Sequence, residues 1–243
     1  MAASRRRFAV AYRAAVLADS PVAYWRLGEA SGATATDETG SYNGTYSGSP
    51  SYSQAGVFAA NNAVRFPVST AFVSSSNAAF YPGSGDFTFE LWSKCQSSLG
   101  LSVGFMLGGK HISATNQRCF SLQLQAGGIT PVEVFWRAFV STNGTSVVTI
   151  GTGSLVSQAA RPVTDWHHWA LVRDGSTMRL YIDGVQEATA AVSGPLFNGS
   201  ANFRIAGQGD GSQFVDCYMD EVAYYSTALS AARILAHYNA AGY

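Results

Sequence analysis

The stretch WHHWALVRDGSTMRLYIDGVQEA, residues 166–188, decides the fold class. Two Asp-Gly pairs, Asp174-Gly175 and Asp183-Gly184, divide it into three short, mainly apolar segments. Asp-Gly favours the positive φ angles that tight hairpin turns require. The stretch therefore predicts a β-meander of three antiparallel strands.

Short strand patterns separated by turn residues also occur on both sides of this meander. In DFTFELWSK (86–94), alternation predicts a strand with Phe87, Phe89 and Leu91 on one face and Glu90 on the other. Further strand patterns occupy residues 119–126, 132–140, 146–150, 202–207 and 214–226. Such a series indicates a sandwich or a barrel rather than a helical protein.

The C-terminal segment has the pattern of a helix. Ser230 is a suitable N-cap for a helix from about Ala231 to Asn239, and Gly242 ends it. We therefore expect an all-β domain over residues 20–243, built as a two-sheet antiparallel sandwich with one short C-terminal helix.

Residues 1–19 are interpreted as a basic, Ala-rich N-terminal arm. Arg13 interrupts the apolar stretch, which argues against a cleaved leader. A nucleic-acid or membrane patch is an alternative. Docking on a protein partner is preferred because it uses the charged and the apolar side chains together, and it implies an oligomer or a larger assembly. The expected anchoring residues are Arg5, Arg6, Arg7, Phe8, Tyr12 and Arg13.

Composition excludes several classes of protein. The 243 residues are 47% hydrophobic and only 12% charged, which supports a sizeable core. Lys+Arg and Asp+Glu are equal at 15 each, so no overall charge would recruit nucleic acid or an anionic membrane. Cys95, Cys119 and Cys217 are an odd number, which favours buried free thiols, with a Cys95–Cys119 disulfide as the alternative.

Four segments, in order along the chain, resemble the laminin-G-like, concanavalin A-like jelly-roll family. The specific part is WHHWALVRDG…LYIDG followed by DEVAYYSTALS. The lead-in AVLADSPVAYWRLGEASG further resembles virion proteins of tailed phages that infect actinobacteria, where such domains occur in minor tail and surface proteins. The resemblance implies two stacked sheets about 10 Å apart, binding of glycans or proteins, often with calcium, and no catalysis. The four segments are residues 20–46, 86–92, 166–184 and 219–238.

The resemblance also implies a calcium site. It places the ion at the positions matching Asp37 and Asp220, with oxygens from Ser41 to Asn43, and Glu29 lies in the same Gly-rich loop. Calcium prefers carboxylate and carbonyl oxygens supplied by such loops. The alternative is that Asp37 only stabilises a turn through its local backbone.

Two pairs of adjacent titratable residues invite a catalytic interpretation. Neighbours in a strand point to opposite faces, so His167 and His168 should not share a site. By the same rule Asp220 is expected to face calcium and the 37–43 loop, and Glu221 the other face. Because glycoside hydrolysis needs two acids facing each other across a cleft, we expect a protein that is not an enzyme.

Sugar binding remains the main functional candidate of the sequence. Aromatic rings stack on sugars, and amide or carboxylate groups bind their hydroxyls; Trp136 and Tyr42 could supply the first, and Gln208, Asp210 and Gln213 the second. The remaining tryptophans are assigned to the core, the default for a large sandwich. They are Trp25, Trp92, Trp166 and Trp169.

The first functional hypothesis is a non-enzymatic phage virion protein, meaning a minor tail, fibre or capsid-decorating protein. It would be made in the host cytoplasm, anchored to other virion proteins by residues 1–19, and would display an adhesive jelly roll to a host-surface glycan. No nucleic acid or membrane insertion is expected. A secreted bacterial carbohydrate-binding or adhesion module is the alternative, and a glycan-cleaving enzyme of the same fold is the third.

Overall fold

A computed structural model shows two antiparallel β-sheets lying face to face, which confirms the predicted sandwich. The helices are α1 (Ala2–Ala18) and α2 (Ala231–Ala240), and none formed by the described residues is long and apolar enough to cross a membrane. The structure describes residues 2–58, 61–67, 71–75, 78–96, 104–126, 133–151, 156–157, 161–208, 210–214 and 216–243.

Seventeen strands are formed within these ranges. In chain order they are β1 (Ala23–Trp25), β2 (Thr34–Ala35), β3 (Gly44–Ser47), β4 (Ser51–Ala55), β5 (Asn62–Phe66), β6 (Phe72–Ser75), β7 (Phe87–Cys95), β8 (Gly104–Ile112), β9 (Gln117–Ala126), β10 (Glu133–Val140), β11 (Val148–Gly151), β12 (Val156–Ser157), β13 (His167–Asp174), β14 (Thr177–Ile182), β15 (Val185–Ala191), β16 (Phe203–Ile205) and β17 (Cys217–Tyr225).

The strands divide into two sheets. In sheet A the order is β15-β14-β13-β7-β17-β5-β4, with β1 also paired to β17. In sheet B the order is β11-β10-β9-β8-β16-β6-β3-β2, with β12 also paired to β10. The predicted meander forms β13, β14 and β15, and its second turn has positive φ at both Asp183 (54°) and Gly184 (77°), as a tight hairpin requires.

The inner faces of both sheets form one aromatic core. Phe87, Phe89 and Leu91 of β7 lie in it, as the alternation predicted. Trp25 stacks on Phe203 with ring centroids 5.5 Å apart. The core therefore joins the two sheets through side chains that both of them contribute.

The outer face of sheet A is covered by both helices, which the sequence did not predict. Trp92 of β7 is fully buried there, with Tyr12 and Val16 of α1 and Ile234 of α2 in the same cluster. As a result Glu90, also on this face, has no exposure to solvent. Strand β7 is thus buried on both faces.

Residues 2–18 form a helix docked on the chain's own sandwich, whereas the sequence had predicted an arm that docks on a protein partner. Tyr12 lies wholly within the chain's own core, and Phe8 packs against the same cluster. Arg13 pairs with Glu38 at 2.6 Å, so this residue is also used internally. Arg7 is exposed, and the side chains of Arg5 and Arg6 lie outside the described part of the structure.

The C-terminal helix agrees with the sequence prediction. Ser230 caps α2 by accepting a hydrogen bond from the backbone N–H of Arg233. The helix ends one residue later than expected, and Gly242 follows it with a φ of 87°. Arg233 also pairs with Asp19 at the end of α1, at 2.9 Å, and so connects the two helices.

Candidate functional site

The Asp37 carboxylate accepts hydrogen bonds from the loop that carries it and from the neighbouring strand β1. Asp37 accepts hydrogen bonds from the backbone N–H groups of Tyr24 (2.7 Å), Thr39 (3.1 Å), Ser41 (3.1 Å) and Tyr42 (2.8 Å), and from the Thr39 hydroxyl (2.5 Å). Burial raises the pKa of Asp37, but these hydrogen bonds outweigh it and hold the pKa below its ordinary value. Both carboxylate oxygens therefore already face donors.

The other expected calcium ligands are engaged in the same way. Glu29 accepts from the Thr36 N–H (2.7 Å) and the Tyr46 hydroxyl (2.8 Å), and the Asn43 side-chain oxygen accepts from the Asp37 N–H (2.9 Å). A cation at this position would meet N–H and O–H hydrogens instead of free oxygen lone pairs. In the part of the chain that the structure describes, no group of three His, Cys, Asp or Glu residues is arranged to hold a metal ion. The loop does not fit calcium.

We expect calcium to have no effect on stability. Thermal unfolding of the protein should give the same midpoint with calcium and with a chelator. Asp37→Ala should lose about 1–3 kcal/mol of stability in both conditions, because buried donors are left without their acceptor. A calcium-dependent rise in the midpoint that disappears in Asp37→Ala would contradict this assignment.

Asp220 and Glu221 do not point to opposite faces, so that prediction is wrong. The pairing of β17 with β7 shifts between Asp220 and Ala223, and Glu221 has a φ of 51°. Such a β-bulge inserts an extra residue and interrupts strand alternation. Both carboxylates are consequently buried, and the Asn61 side-chain amide donates to each of them at 3.0 Å.

The Asp220–Glu221 pair joins three segments of the chain. Asp220 accepts from the Val57 N–H at 2.9 Å. Glu221 pairs with Arg26 at 2.9 Å and accepts from the Tyr24 hydroxyl. Burial raises the pKa of both carboxyls, and Arg26 opposes this effect at Glu221. Asp220 shares no hydrogen-bond partner with Asp37 among those described, so the two do not form one site.

The two histidines have separate environments, as expected. His167 contacts Asp183 through Nδ1 at 2.8 Å and the Pro162 carbonyl through Nε2 at 2.9 Å. His168 instead contacts the buried Glu90 at 3.2 Å.

The exposure of two tryptophans differs from what the sequence predicted. Trp136, expected to bind sugar, is buried and stacks on Trp169 with centroids 4.7 Å apart. Trp166, expected in the core, is only half-buried and lies near Lys94 and Tyr218 on the outer side of sheet A. The strand patterns indicated alternating faces but not which face each tryptophan occupies.

The outer face of sheet B carries a row of polar side chains, which we call the polar groove. It consists of Gln123 and Ser121 of β9, Arg137 of β10, His111 of β8 and Gln213 of the loop that follows β16. Their neighbours along β9 and β10, including Leu122, Leu124, Trp136 and Ala138, face the core. Alternation therefore directs the polar groove residues away from the core. Gln123, Ser121 and His111 are buried there, and Arg137 and Gln213 are half-buried.

Hydrogen bonds connect the polar groove residues in sequence. Arg137 Nη2 donates to Gln123 Oε1 (3.4 Å), and Gln123 Nε2 donates to Ser121 Oγ (3.0 Å). Ser121 Oγ lies 3.4 Å from His111 Nδ1. The chain of contacts positions each side chain through its neighbour.

Gly104 lies in close contact with the polar groove side chains. A Cβ at this position would lie 3.3 Å from Arg137 Nη2, 3.9 Å from Gln123 Oε1 and 3.9 Å from Gln213 Nε2. Two donors and one acceptor thus converge over a residue that has no side chain. An adjoining pocket of about 360 Å³ is lined by Phe135, Arg137, Thr149 and Gly151.

The polar groove side chains also have hydrogen-bonding capacity to spare. Arg137 Nε, Gln213 Oε1 and the nearby Gln208 Nε2 are buried and have no hydrogen-bond partner. An unmet buried polar atom costs about 1–3 kcal/mol. Burial also lowers the pKa of Arg137. The arrangement favours a ligand that both accepts and donates several hydrogen bonds.

Gln208, Asp210 and Gln213 are the part of the expected glycan site that the structure brings to the polar groove. Gln208 accepts from the Ser113 N–H (2.9 Å), the exposed Asp210 accepts from the Ala114 N–H (3.3 Å), and the Gln213 carbonyl accepts from the Met106 N–H (3.0 Å). Tyr42 is instead packed on Phe80 of the core, 5.4 Å between centroids. The sequence analysis missed Gln123, although its register in β9 could have indicated it.

Comparison with known proteins agrees with this architecture. A family model described as the concanavalin A-like lectin/glucanases superfamily (Laminin_G_3) matches residues 67–235. No curated protein matches the chain's sequence.

Several solved structures are similar in fold. The binding domain of Paraclostridial Mosquitocidal Protein 1 has a TM-score of 0.60 and 15% identity over 89% of this chain and 52% of that chain. Another similar structure is described by the statement that cell entry of botulinum neurotoxin type C is dependent upon interaction with two ganglioside molecules. It has a TM-score of 0.68 and 16% identity, over 93% of this chain and 53% of that chain. The binding domain of Botulinum Neurotoxin DC in complex with SialylT has a TM-score of 0.69 and 14% identity, over 93% of this chain and 52% of that chain. The chain spans about half the length of these structures, and identities this low show the fold alone.

Proposed function

Since this chain belongs to the concanavalin A-like lectin/glucanase superfamily, we propose that it is a non-enzymatic carbohydrate-binding jelly roll. The observation that carries the proposal is the convergence of Arg137, Gln123 and Gln213 over Gly104. Sugars present hydroxyl groups that both donate and accept hydrogen bonds, and these side chains supply both functions. The similar toxin domains support the proposal, because their descriptions name gangliosides and SialylT as what those proteins bind.

Phe135 provides the second element of such a site. It lines the pocket beside Arg137, whose guanidinium lies 4.4 Å from the Phe139 ring centroid. A sugar has apolar C–H faces as well as hydroxyls, so a site with aromatic edges and a polar floor suits it. The pocket volume of about 360 Å³ falls within the range of small-ligand sites.

The proposal of binding without hydrolysis rests on the same side chains. Glycoside hydrolysis uses two carboxyl groups that flank the scissile bond. The described side chains that converge in the polar groove, Gln123, Arg137 and Gln213, contain none. The buried carboxylates elsewhere in the described chain, such as Asp220 and Glu221, are held in internal hydrogen bonds.

We expect Arg137→Ala to weaken glycan binding by about ten- to a hundredfold, since a hydrogen bond to a charged group contributes about 1.5–3 kcal/mol. A glycan array identifies the ligand of the parent, and titration of that ligand measures the affinities. Gly104→Val should weaken binding as well, because a Cβ at this position already lies 3.3 Å from Arg137 Nη2 and the larger side chain would displace the guanidinium.

Arg179→Ala is the matched control, because Arg179 forms an ion pair with Asp174 on sheet A, away from the polar groove. Its affinity should equal that of the parent. An array on which the parent binds no glycan, or equal affinities for Arg137→Ala and Arg179→Ala, would overturn the proposal.

The finer part of the proposal is that the module is displayed on a phage virion, as a minor tail, fibre or capsid-decorating protein. It rests on the resemblance of residues 15–32, AVLADSPVAYWRLGEASG, to actinobacterial phage virion proteins. Antibody against the chain should label intact purified particles. Absence of the chain from such particles would remove this part and leave the glycan-binding module.

A further inference from the structure

Two of the three cysteines face each other across neighbouring strands. Cys95, the last residue of β7, is the direct partner of Cys217, the first residue of β17. The next pair outward is hydrogen-bonded, because the Gln96 N–H donates to the Asp216 carbonyl at 2.8 Å. Hydrogen-bonded and non-hydrogen-bonded pairs alternate along an antiparallel ladder. Cys95 and Cys217 therefore form a non-hydrogen-bonded pair.

This type of pair brings two side chains close together. The Cα atoms of non-hydrogen-bonded partners lie about 4.5 Å apart, within the ~4.4–6.8 Å range that disulfides span. The Cys95 N–H is directed away from β17 and donates to the Val163 carbonyl at 2.7 Å. Both thiols belong to the aromatic core and are almost fully buried.

We propose that Cys95 and Cys217 form a cross-strand disulfide when the chain folds under oxidising conditions, and that Cys119 remains a thiol. Cys119 is in β9 of the other sheet and is not paired in register with either. The strand register favours this pair over the Cys95–Cys119 alternative that the sequence had left open. It requires no movement of the strands, because the register already places the partners opposite each other.

The chemistry is a thiol–disulfide exchange with a small-molecule disulfide, such as oxidised glutathione. One thiolate attacks the small disulfide, forms a mixed disulfide and releases one small thiol. The second cysteine then attacks the protein sulfur of the mixed disulfide, forms the Cys95–Cys217 bond and releases the second small thiol. Two protein thiols are oxidised to one disulfide, and one small disulfide is reduced to two thiols.

The exchange belongs to folding and not to the folded state. The thiolate is the reactive form of cysteine. Burial is the main cause that raises the pKa of Cys217 well above its ordinary value, and a hydrogen bond with Cys95 adds to it. The folded protein therefore contains little of the reactive form. Both sulfurs are also shielded from a soluble oxidant once the sandwich has formed. Protein folded in a reducing medium should therefore keep its thiols for long periods after oxidant is added.

The test is refolding of the full chain from denaturant in a glutathione redox buffer. The refolded protein should be lighter by two hydrogen atoms in intact mass, and thiol titration in denaturant should fall from three thiols to one. Peptide mapping should recover the Cys95–Cys217 peptide. The oxidised form should have the higher unfolding temperature, because the bond restricts the unfolded chain.

Two variants separate the possible pairs. Cys119→Ser should still lose two hydrogen atoms and retain no thiol, whereas Cys217→Ser should lose none. Three thiols in the refolded parent, or a map that joins Cys119 to either partner, would overturn the proposal. These outcomes do not depend on glycan binding, so they leave the proposed function untouched.

Discussion

Glu90→Gln should lower the free energy of unfolding by about 3–5 kcal/mol, the usual result of removing one partner of a buried ion pair. Glu90 is fully buried under the two helices and accepts hydrogen bonds from His168 (3.2 Å), His237 (3.0 Å) and Tyr225 (2.6 Å). The amide has nearly the same shape but no charge, so it removes one of the two carboxylates that face His237 of α2.

The surroundings of His237 favour its protonated form. Nδ1 faces Glu90, while Nε2 lies 3.2 Å from the Ala15 carbonyl and 3.0 Å from Asp19, so each ring nitrogen meets an acceptor. Burial lowers the pKa of His237, but Glu90 and Asp19 outweigh this and raise it above its ordinary value, with Arg233 opposing weakly. His237 thus joins β7, α1 and α2 at one point.

The sign of the pH dependence follows from these shifts. Since the folded pKa of His237 is raised above 6.5, its contribution is complete below that pH and is lost as pH rises through the folded value. Burial raises the pKa of Glu90, but His237 and His168 outweigh it and hold it well below 4.5, so its contribution is complete above that pH and is lost on acidification. The network should therefore stabilise the fold most between about pH 4.5 and 6.5.

Chemical denaturation at mildly acidic and mildly alkaline pH measures both effects. The parent should lose stability as pH rises above neutrality, and Glu90→Gln should lose less of it over the same interval. Glu187→Gln is the control, because Glu187 pairs with Arg161 at a partly exposed site where such a pair contributes about 0–1 kcal/mol. Equal stabilities of Glu90→Gln and Glu187→Gln would contradict the role of this network.

The sequence predicted the sandwich because its strongest signals are local. Asp174-Gly175 and Asp183-Gly184 specify turns through backbone conformation alone, and the meander formed as expected. Ser230 specifies the start of α2 by the same kind of local hydrogen bond. None of these signals depends on which segments meet in the folded protein.

The candidate site depends on non-local contacts, and there the sequence was less informative. The bulge at Glu221 brings Asp220 and Glu221 to the same amide, Asn61, although strict alternation would have separated them. The sugar-binding assignment of Trp136 was wrong because a periodic pattern shows two faces without showing which one is covered. Gln208 and Gln213 were chosen because a Gly-rich loop carries them, and their part in ligand binding stays a prediction.

Tyr12→Ala should destabilise the protein by about 3–5 kcal/mol, the range for truncating a large buried aromatic side chain. Tyr12 has no exposed surface, and its ring lies 5.3 Å from Phe58, 6.2 Å from Trp92 and 6.2 Å from His237. Its loss would leave a cavity where α1 meets both sheet A and α2. Chemical denaturation gives the change in free energy, and limited proteolysis within residues 2–18 shows whether α1 is released.

Val10→Ala is the matched control, because Val10 lies on the same helix but is 69% exposed. Its stability should stay within about 0.5 kcal/mol of the parent. Indistinguishable stabilities of Tyr12→Ala and Val10→Ala would mean that α1 does not dock on its own domain in solution. If the difference is found, a partner that binds the docked helix must use its exposed side, which includes Arg7 and Val10, and not the Tyr12 side. Substitutions of Arg7 and Val10 would then be the ones that separate assembly from folding.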